Sequence, residues 1–596
     1  MGYNDTIKTD APDVNPVASA AHREAAGGAG QPHRADLPFP ARKEIIMDKK
    51  VLIVGGVAGG ATAAARLRRL DESARIILFE RGEHISFANC GLPYYLGGVI
   101  KERDRLLVQT PEAMKRRFNI DVRVRSEVIA VHTGKRAVTI RRPDGEVYEE
   151  TFDALLLSPG ARPIAPPIPG IGGERVFTLR NIPDTDRIQA FIEERNVRRA
   201  VVVGGGFIGI EMAENLTRRG IGVTLIEAAP HVLAPFDADM AVHVERELAD
   251  NGVRLALGDG VESFAEHAEG IDVIMKSGSR ATADIVILAI GVTPDTGFLK
   301  DSGIALGPRG HILVNERMET NVEGVYAVGD AVEVKHFVLG TQASIPLAGP
   351  ANRQARVAAD NIAGIPSAYR GTQGTSILKI FGMTAAATGA NERALKQAGR
   401  PFRTVHLHPA SHATYYPGAS PIALKLIFGD DGRILGAQAF GKDGVDKRID
   451  VIATAMRLGG TVHDLAELEL SYAPPFSSAK DPVNMAGFAA QNILRGLTDV
   501  WTPDEWEHAD PGRIQLVDVR TEAEHRAGAI PGSIHIPVDE LRERMDELDP
   551  SKPVWVYCQV GARGYTASRI LAQAGFQVRN LTGGWKSYSA MQFRPD

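Results

Sequence analysis

The sequence predicts a multidomain α/β protein, and three observations carry that prediction. First, one grammar of apolar strand, glycine turn, helix and acid-ended strand occurs twice: KVLIV, GGVAGGATAAARLRRL and RIILFE in the first stretch, AVVVGGGFIGIEMAENLTRRG and GVTLIEAA in the second. Second, residues 371–490 change style, with strands such as TSILKIFG and PIALKLIFG followed by helical DGVDKRIDVIATAMRLGG, which reads as a separate α+β domain. Third, the C-terminal part alternates strand and helix again through RIQLVDVR, IPVDELRERMDEL, KPVWVYCQ and GYTASRILAQAG, with GLTDVWTP (496–503) reading as the linker into it.

The bulk numbers agree with that division. A chain of 596 residues has room for about four domains. Its 44% hydrophobic and 24% charged residues are ordinary for globular proteins, and a net charge of −5 without a dense Lys/Arg patch excludes nucleic acid as the expected partner. No apolar run reaches the ~20 residues of a membrane helix, so no membrane partner is expected. Two cysteines cannot form a disulfide framework, so a reducing, cytoplasmic location is expected, and no metal-ligating cluster is expected. Residues 1–47 are rich in Ala, Pro, Gly and charge and are expected to be a disordered extension, with Met47 as an alternative start.

The second glycine unit matches the dinucleotide fingerprint in full. Gly204, Gly206 and Gly209 supply the tight turn, the backbone approach to a pyrophosphate and the helix–strand packing. Glu227 closes the next strand, where a carboxylate accepts ribose hydroxyls and repels a 2′-phosphate; this favours NADH over NADPH. The first unit keeps Gly55 and Gly60 but has Val57 at the middle position, followed by Ala58, and Glu80 restores the acid. Further on, GVYAVGD sets Asp330 at a strand end, suited to a ribitol hydroxyl. Together these features argue for FAD in the first unit and NADH in the second. Two NAD sites, the alternative, leave Asp330 without a role.

This arrangement resembles the FAD-dependent pyridine nucleotide–disulfide oxidoreductase family across about residues 48–490, and LSPGA, with Pro159, and YAVGDA look like its flavin-contacting segments. The resemblance implies a split FAD-binding domain (48–158 and 285–368), an inserted NADH-binding domain (159–284) and an α+β dimerisation domain (369–495). Both nucleotide-binding domains are expected to be Rossmann-like, and the protein a homodimer.

One cysteine, Cys90, lies in SFANCGLPYY within the first unit, with no second cysteine near it. A solitary flavin-side thiol can cycle to sulfenic acid or form a mixed disulfide with a small thiol. The string resembles the S-F-x-N-C-x-L-P-Y signature of coenzyme A-disulfide reductases. That resemblance implies Cys90 as the redox thiol, Ser86 and Asn89 beside the pantetheine arm, and Arg66 and Arg69 facing the phosphates of coenzyme A. HATYYPG and SYAPPFSSAKDPVN resemble dimerisation-domain motifs of the same group. They imply Tyr415 and Tyr472, with Tyr416 as the register alternative, crossing to the partner's active cysteine to hydrogen-bond the thiolate or protonate a leaving sulfur. The thiolate is expected to be stabilised by nearby donors and oxidised flavin.

The other cysteine, Cys558, opens CQVGARG. A short turn leading into a helix offers successive backbone N–H groups to an anionic persulfide, with Arg563 assisting. A phosphatase-like C(x)nR loop is the competing reading, but its loop typically has more residues between cysteine and arginine. LVDVRTEAEHRAGAIPGSIHIP before it, with Asp518, Arg520 and Glu524, resembles a rhodanese domain, which implies an α/β domain over 496–596. The combined expectation is an NADH-dependent flavoprotein that reduces CoA persulfide, polysulfide or CoA disulfide at Cys90 and carries sulfane sulfur on Cys558. An NADH oxidase or peroxidase using a cysteine sulfenate, a protein that is chiefly a sulfurtransferase, and a non-catalytic redox sensor stay open as alternatives.

Overall fold

The computed structural model describes residues 49–595. The extension expected at 1–47 lies outside the described residues.

The first glycine unit builds a five-stranded parallel sheet in the order Val325–Ala327, Ala154–Leu157, Lys50–Val54, Arg75–Phe79, Asp121–Arg123. Lys50–Val54 occupies the centre because its run of aliphatic residues is covered on both faces, with Leu52 and Ile53 fully buried. The second unit repeats the plan: Arg254–Leu257, Gly222–Glu227, Arg199–Val203, Ile285–Leu288, Val176–Thr178, again all parallel. Each unit inserts a three-stranded antiparallel sheet just before the strand that returns to its parallel sheet.

That repeat corrects one expected boundary. The family resemblance places Ile285–Leu288 in the second FAD segment, yet it pairs with Ala200–Val203. It is the second unit's own returning strand, the counterpart of Ala154–Leu157 in the first. The chain crosses back afterwards, where Val292–Pro294 pairs antiparallel with Ala161–Pro163.

The third region is a five-stranded antiparallel sheet, ordered Ser376–Ile380, Met383–Gly389, Ile434–Gly441, Ile422–Phe428, Arg403–Leu407. Every residue of its strands Ile422–Phe428 and Ile434–Gly441 is buried. Helices Val445–Arg457 and Pro482–Leu494 pack on the sheet.

The C-terminal domain is a five-stranded parallel sheet, ordered Asp499–Trp501, Val578–Leu581, Val554–Tyr557, Gln515–Asp518, Ile534–His535. Two expectations change here. The linker reading of GLTDVWTP fails because Asp499–Trp501 is an edge strand. Trp501 is fully buried, its ring lies 5.1 Å from that of Trp555, and its Nε1–H donates to the Val556 carbonyl at 3.2 Å. The segment IPVDELRERMDEL forms tight turns and a short 3₁₀ stretch, Met545–Glu547, in place of a helix. Most of its backbone bonds span three residues, as in Glu540 N–H to Pro537 and Leu548 N–H to Met545, a tighter winding that sends Leu541 and Leu548 into the core.

This domain docks on the rest of the chain through its last helix, Gly584–Met591, and the turn before it. The His406 N–H donates to Thr582 Oγ1 at 2.7 Å, His408 Nε2 meets Ser587 Oγ at 2.9 Å, and Arg246 lies over the Phe593 ring. No helix of the described residues is long and apolar enough to cross a membrane.

Candidate active site

Both glycine turns are shaped first by chain packing. A Cβ on Gly60 would collide with the Gly55 carbonyl oxygen, and one on Gly209 with that of Gly204. Each acidic strand end ties its own turn. Glu80 accepts from Gly56 N–H (2.9 Å) and Gly82 N–H (2.8 Å), and Glu227 accepts from Gly205 N–H (2.6 Å) and Ala229 N–H (2.7 Å). A carboxylate keeps further lone pairs after two such bonds, so both acids can still accept from ribose hydroxyls.

The helices that follow, Ala58–Leu70 and Phe207–Arg218, begin at Val57 and Gly206 without a side-chain cap. Their first N–H groups therefore stay available to an anionic ligand. Open space surrounds the Cβ direction of Gly206, as backbone approach by a pyrophosphate requires.

Gly55, Val57, Ala58, Glu80, Pro159 and Asp330 line one cleft, so most of the residues expected around FAD converge. Asp330 enters the cleft from the 3₁₀ turn Gly329–Ala331; burial raises its carboxyl, and Arg180 opposes the rise from 3.6 Å. A carboxylate facing an uncapped helix end and the Gly55 turn fits a nucleotide with a polyol arm, so the residues present fit FAD.

Asn89 shares this cleft. With its amide oriented to satisfy both neighbours, it donates to the Phe87 carbonyl (3.1 Å) and accepts from Arg180 (3.2 Å). Arg180 thus links Asn89 to Asp330, a connection that no sequence motif disclosed. Cys90 follows on the 3₁₀ turn Asn89–Gly91 and is solvent-exposed. Ser86, four residues earlier, holds a left-handed φ of 45° between two backbone bonds: its N–H donates to Gly56 (2.8 Å), and its carbonyl accepts from Val108 N–H (3.0 Å).

Two of the chain's groups favour the Cys90 thiolate, as expected, but others outweigh them. Surrounding protein atoms raise the thiol, the charges of Glu211 and Asp330 raise it further, and its backbone N–H and Arg180 oppose them. Glu211 comes from helix Phe207–Arg218 of the second unit and accepts from Tyr94 Oη at 3.2 Å. Burial, then the neighbouring Glu214, pushes the Glu211 carboxyl up to about 7. Sequence reasoning missed Glu211 because it sits inside the second fingerprint helix and meets Cys90 only in the fold.

The two arginines expected at coenzyme A separate. Arg66 Nε donates to the buried Asp360 at 2.8 Å, so its charge is already paired. Arg69 is exposed and lies over the Phe118 ring. Tyr415 and Tyr472 do come together, with hydroxyls 2.7 Å apart, and both are exposed (74% and 47%). Tyr416 packs edge-on against His412 instead.

At the second cysteine, strand Val554–Tyr557 runs into Cys558, and the helix Ala562–Gln573 starts at Gly561 without a side-chain cap. Gly561 N–H donates to Cys558 Sγ at 3.1 Å. Cys558 is fully buried, and its carbonyl accepts from Trp585 N–H at 2.7 Å. The expected assistant, Arg563, does face Cys558, which acts on its guanidinium, and it is also held by a two-pronged bond to Glu524, at 2.8 and 2.7 Å.

Residues 49–355 match the pyridine nucleotide-disulphide oxidoreductase family, 375–482 its dimerisation domain, and 503–591 the rhodanese-like domain. The coenzyme A disulfide reductase of Staphylococcus haemolyticus (strain JCSC1435) is 39% identical over 448 residues, covering 75% of this chain and 100% of that protein. Reduced Bacillus anthracis CoADR-RHD superposes with a TM-score of 0.89 at 52% identity, over 91% of this chain and 98% of that one. An NAD-dependent persulfide reductase from A. fulgidus gives 0.85 at 38% identity, over 91% of this chain and 100% of that one. The two glycine units, the antiparallel third domain and the lone thiol beside the cleft thus have one common source: the chain belongs to the pyridine nucleotide-disulphide oxidoreductase family and carries a rhodanese-like domain at its C-terminal end.

Proposed function

We propose that the protein is an NADH-dependent flavoenzyme that reduces CoA persulfide, polysulfide or CoA disulfide through Cys90, with Cys558 carrying sulfane sulfur. The observation that carries this reading is the pairing of two isolated cysteines in different chemical settings: Cys90 exposed beside the nucleotide cleft, and Cys558 buried in an N–H-lined loop. The relatives named for coenzyme A disulfide and persulfide reduction support the same substrates.

FAD, when bound along the Gly55–Asp330 cleft, supplies the two-electron relay between NADH and the cysteine. The chain's residues do the rest. Gly204, Gly206 and Gly209 with the following helix hold the pyrophosphate of NADH, and Glu227 takes its ribose. Ser86 and Asn89 flank the pantetheine arm, and Arg69 stands nearer to a free cation than Arg66 for the phosphates. The Cys90 thiolate attacks the CoA-bearing sulfur of CoA persulfide or CoA disulfide, forming a mixed disulfide with CoA as hydrosulfide or CoA thiolate leaves, or attacks polysulfide with loss of a shorter polysulfide. Two electrons from NADH then return it to the thiolate. Tyr415 and Tyr472, exposed on the dimerisation domain, cross a homodimer interface and donate a proton to the departing sulfur.

Intact mass before and after dithiothreitol tests the reading. Loss of one CoA from the wild type and none from Cys90→Ser is the expected result. An unchanged mass together with peroxide turnover would replace the proposal with a cysteine-sulfenate oxidase or peroxidase.

A further inference from the structure

The loop that begins at Cys558 carries a single cationic side chain, Arg563. Between Cys558 and Arg563 stand Gln559, Val560, Gly561 and Ala562, none of them charged. Arg563 is the loop's own cation, and Glu524 closes it fork to fork, NH1 to Oε2 at 2.8 Å and NH2 to Oε1 at 2.7 Å. Glu524 is fixed in turn by a capping box, since its Oε2 accepts from both the N–H and the Oγ1 of Thr521 at 3.0 Å. The ion pair holds the Glu524 carboxyl down at about 2, so it stays ionised across the neutral range.

The other guanidinium near the loop is also committed. Arg520 is buried against Asp518, with bonds of 2.8–3.2 Å, and reaches the loop only through Gln559 at 3.4 Å. Lys586 donates its backbone N–H to the Gln559 carbonyl (3.1 Å), while its side-chain charge acts on His408 across the docking face. A substrate at Cys558 thus meets backbone N–H groups at a helix start, suited to one negative charge, and a guanidinium that Glu524 shares with Cys558.

We propose that Glu524 sets the donor preference of Cys558: by occupying Arg563 it fits the loop to an organic persulfide, singly charged at the transferring sulfur, over dianionic thiosulfate. The inference rests on the reading of Cys558 as a sulfane-sulfur carrier. In the transfer, the Cys558 thiolate attacks the outer sulfur of R–S–S⁻. A Cys558–sulfur bond forms, the donor's S–S bond breaks, and its electron pair leaves on R–S⁻, so the step involves no net oxidation. With thiosulfate the leaving group is sulfite, and both of its charges then lie beside a cation that Glu524 already occupies. Glu524 acts through Arg563 and is therefore a positioning residue.

The test uses the full-length flavoprotein and two probes, thiosulfate and glutathione persulfide, each with cyanide as acceptor. Glu524→Gln should raise the thiosulfate-to-persulfide ratio of kcat/KM by about fivefold or more, chiefly through the KM for thiosulfate. Glu524→Asp should keep the wild-type ratio, and Glu524→Gln/Arg563→Gln should lose the gain. An unchanged ratio in Glu524→Gln overturns the proposal. So does a parallel loss of both activities that Glu524→Asp fails to restore, which would mark Glu524 as structural only. NADH-linked reduction measured on the same samples separates the two readings. Its absence alongside a shifted ratio overturns the reductase reading alone, whereas wild-type transfer that survives Cys558→Ser overturns the carrier reading and this proposal together.

Discussion

Replacing Lys425 by Met puts the junction between the domains under a defined load. Lys425 is fully buried on strand Ile422–Phe428 and meets three carboxylates: Asp239 at 2.8 Å, Asp237 at 3.0 Å and Glu392 at 2.7 Å. Asp237 and Asp239 open the second unit's helix Ala238–Asp250, Glu392 belongs to the third region, and His406 Nε2 binds Asp239 at 2.7 Å while its N–H reaches Thr582 of the C-terminal domain. One ammonium therefore balances carboxylates from two domains and backs the docking contact of a third. Met keeps most of the volume and removes the charge, and a buried ion cluster stripped of one partner loses about 3–5 kcal/mol.

The pH dependence separates charge from packing. Lys425 holds the Asp239 and Glu392 carboxyls below their ordinary range. The folded wild type thus binds fewer protons there than the unfolded chain, and its stability rises as pH climbs through the carboxylate range. Without the ammonium the three carboxyls repel one another and their affinity for protons rises, so the folded variant binds more protons than the unfolded chain and loses stability over the same climb. The penalty should be full at pH 8 and smaller at pH 5. Urea unfolding by far-ultraviolet circular dichroism measures it for the whole chain. Tryptophan fluorescence reports the C-terminal domain alone, because Trp501, Trp506, Trp555 and Trp585 are the chain's four tryptophans. An equal penalty at both pH values, or one below about 1 kcal/mol at pH 8, would refute the argument.

Two further outcomes bear on the site itself. Glu211→Gln removes a carboxyl raised to about 7, so Cys90 should react faster with iodoacetamide than in wild type at pH 8 and at the same rate at pH 5.5, where Glu211 is already neutral; equal rates at both pH values would take Glu211 out of the Cys90 environment. Glu227→Ala removes the acceptor of Gly205 and Ala229 N–H and should raise the NADH KM about tenfold while lowering that for NADPH, and an unchanged coenzyme ratio would mean that the ribose is held elsewhere.

What the sequence disclosed and what it withheld divide along physical lines. The glycine turns were readable because their helix-entry packing is local. In both units the first and third glycines are forced by close approach of the chain to itself: a Cβ at Gly60 or Gly209 meets a carbonyl oxygen of the same turn, and one at Gly55 or Gly204 meets the carbonyl of Ser158 or Ala289 at the end of the returning strand. The middle position carries no such constraint, because space is open at Gly206 and the other unit has Val57 at that place and still starts its helix. The middle glycine thus answers to the ligand and the outer two to the fold, which is why a degenerate fingerprint at Gly55–Gly60 still marked a true nucleotide-type unit.

Partners distant in the chain left no such local trace. Arg180 between Asn89 and Asp330, Glu211 beside Cys90 and Glu524 on Arg563 each join residues from separate elements, and each changes what a motif residue can do. Arg563 shows the consequence most directly. Its position five residues after Cys558 marks it as the cation of an anion-binding loop, yet the capping box at Thr521 delivers a carboxylate to both arms of its guanidinium. Spacing along the chain identifies which charge faces the loop. Only the packing of helix Glu522–Arg526 against that loop determines whether the charge is available to a substrate.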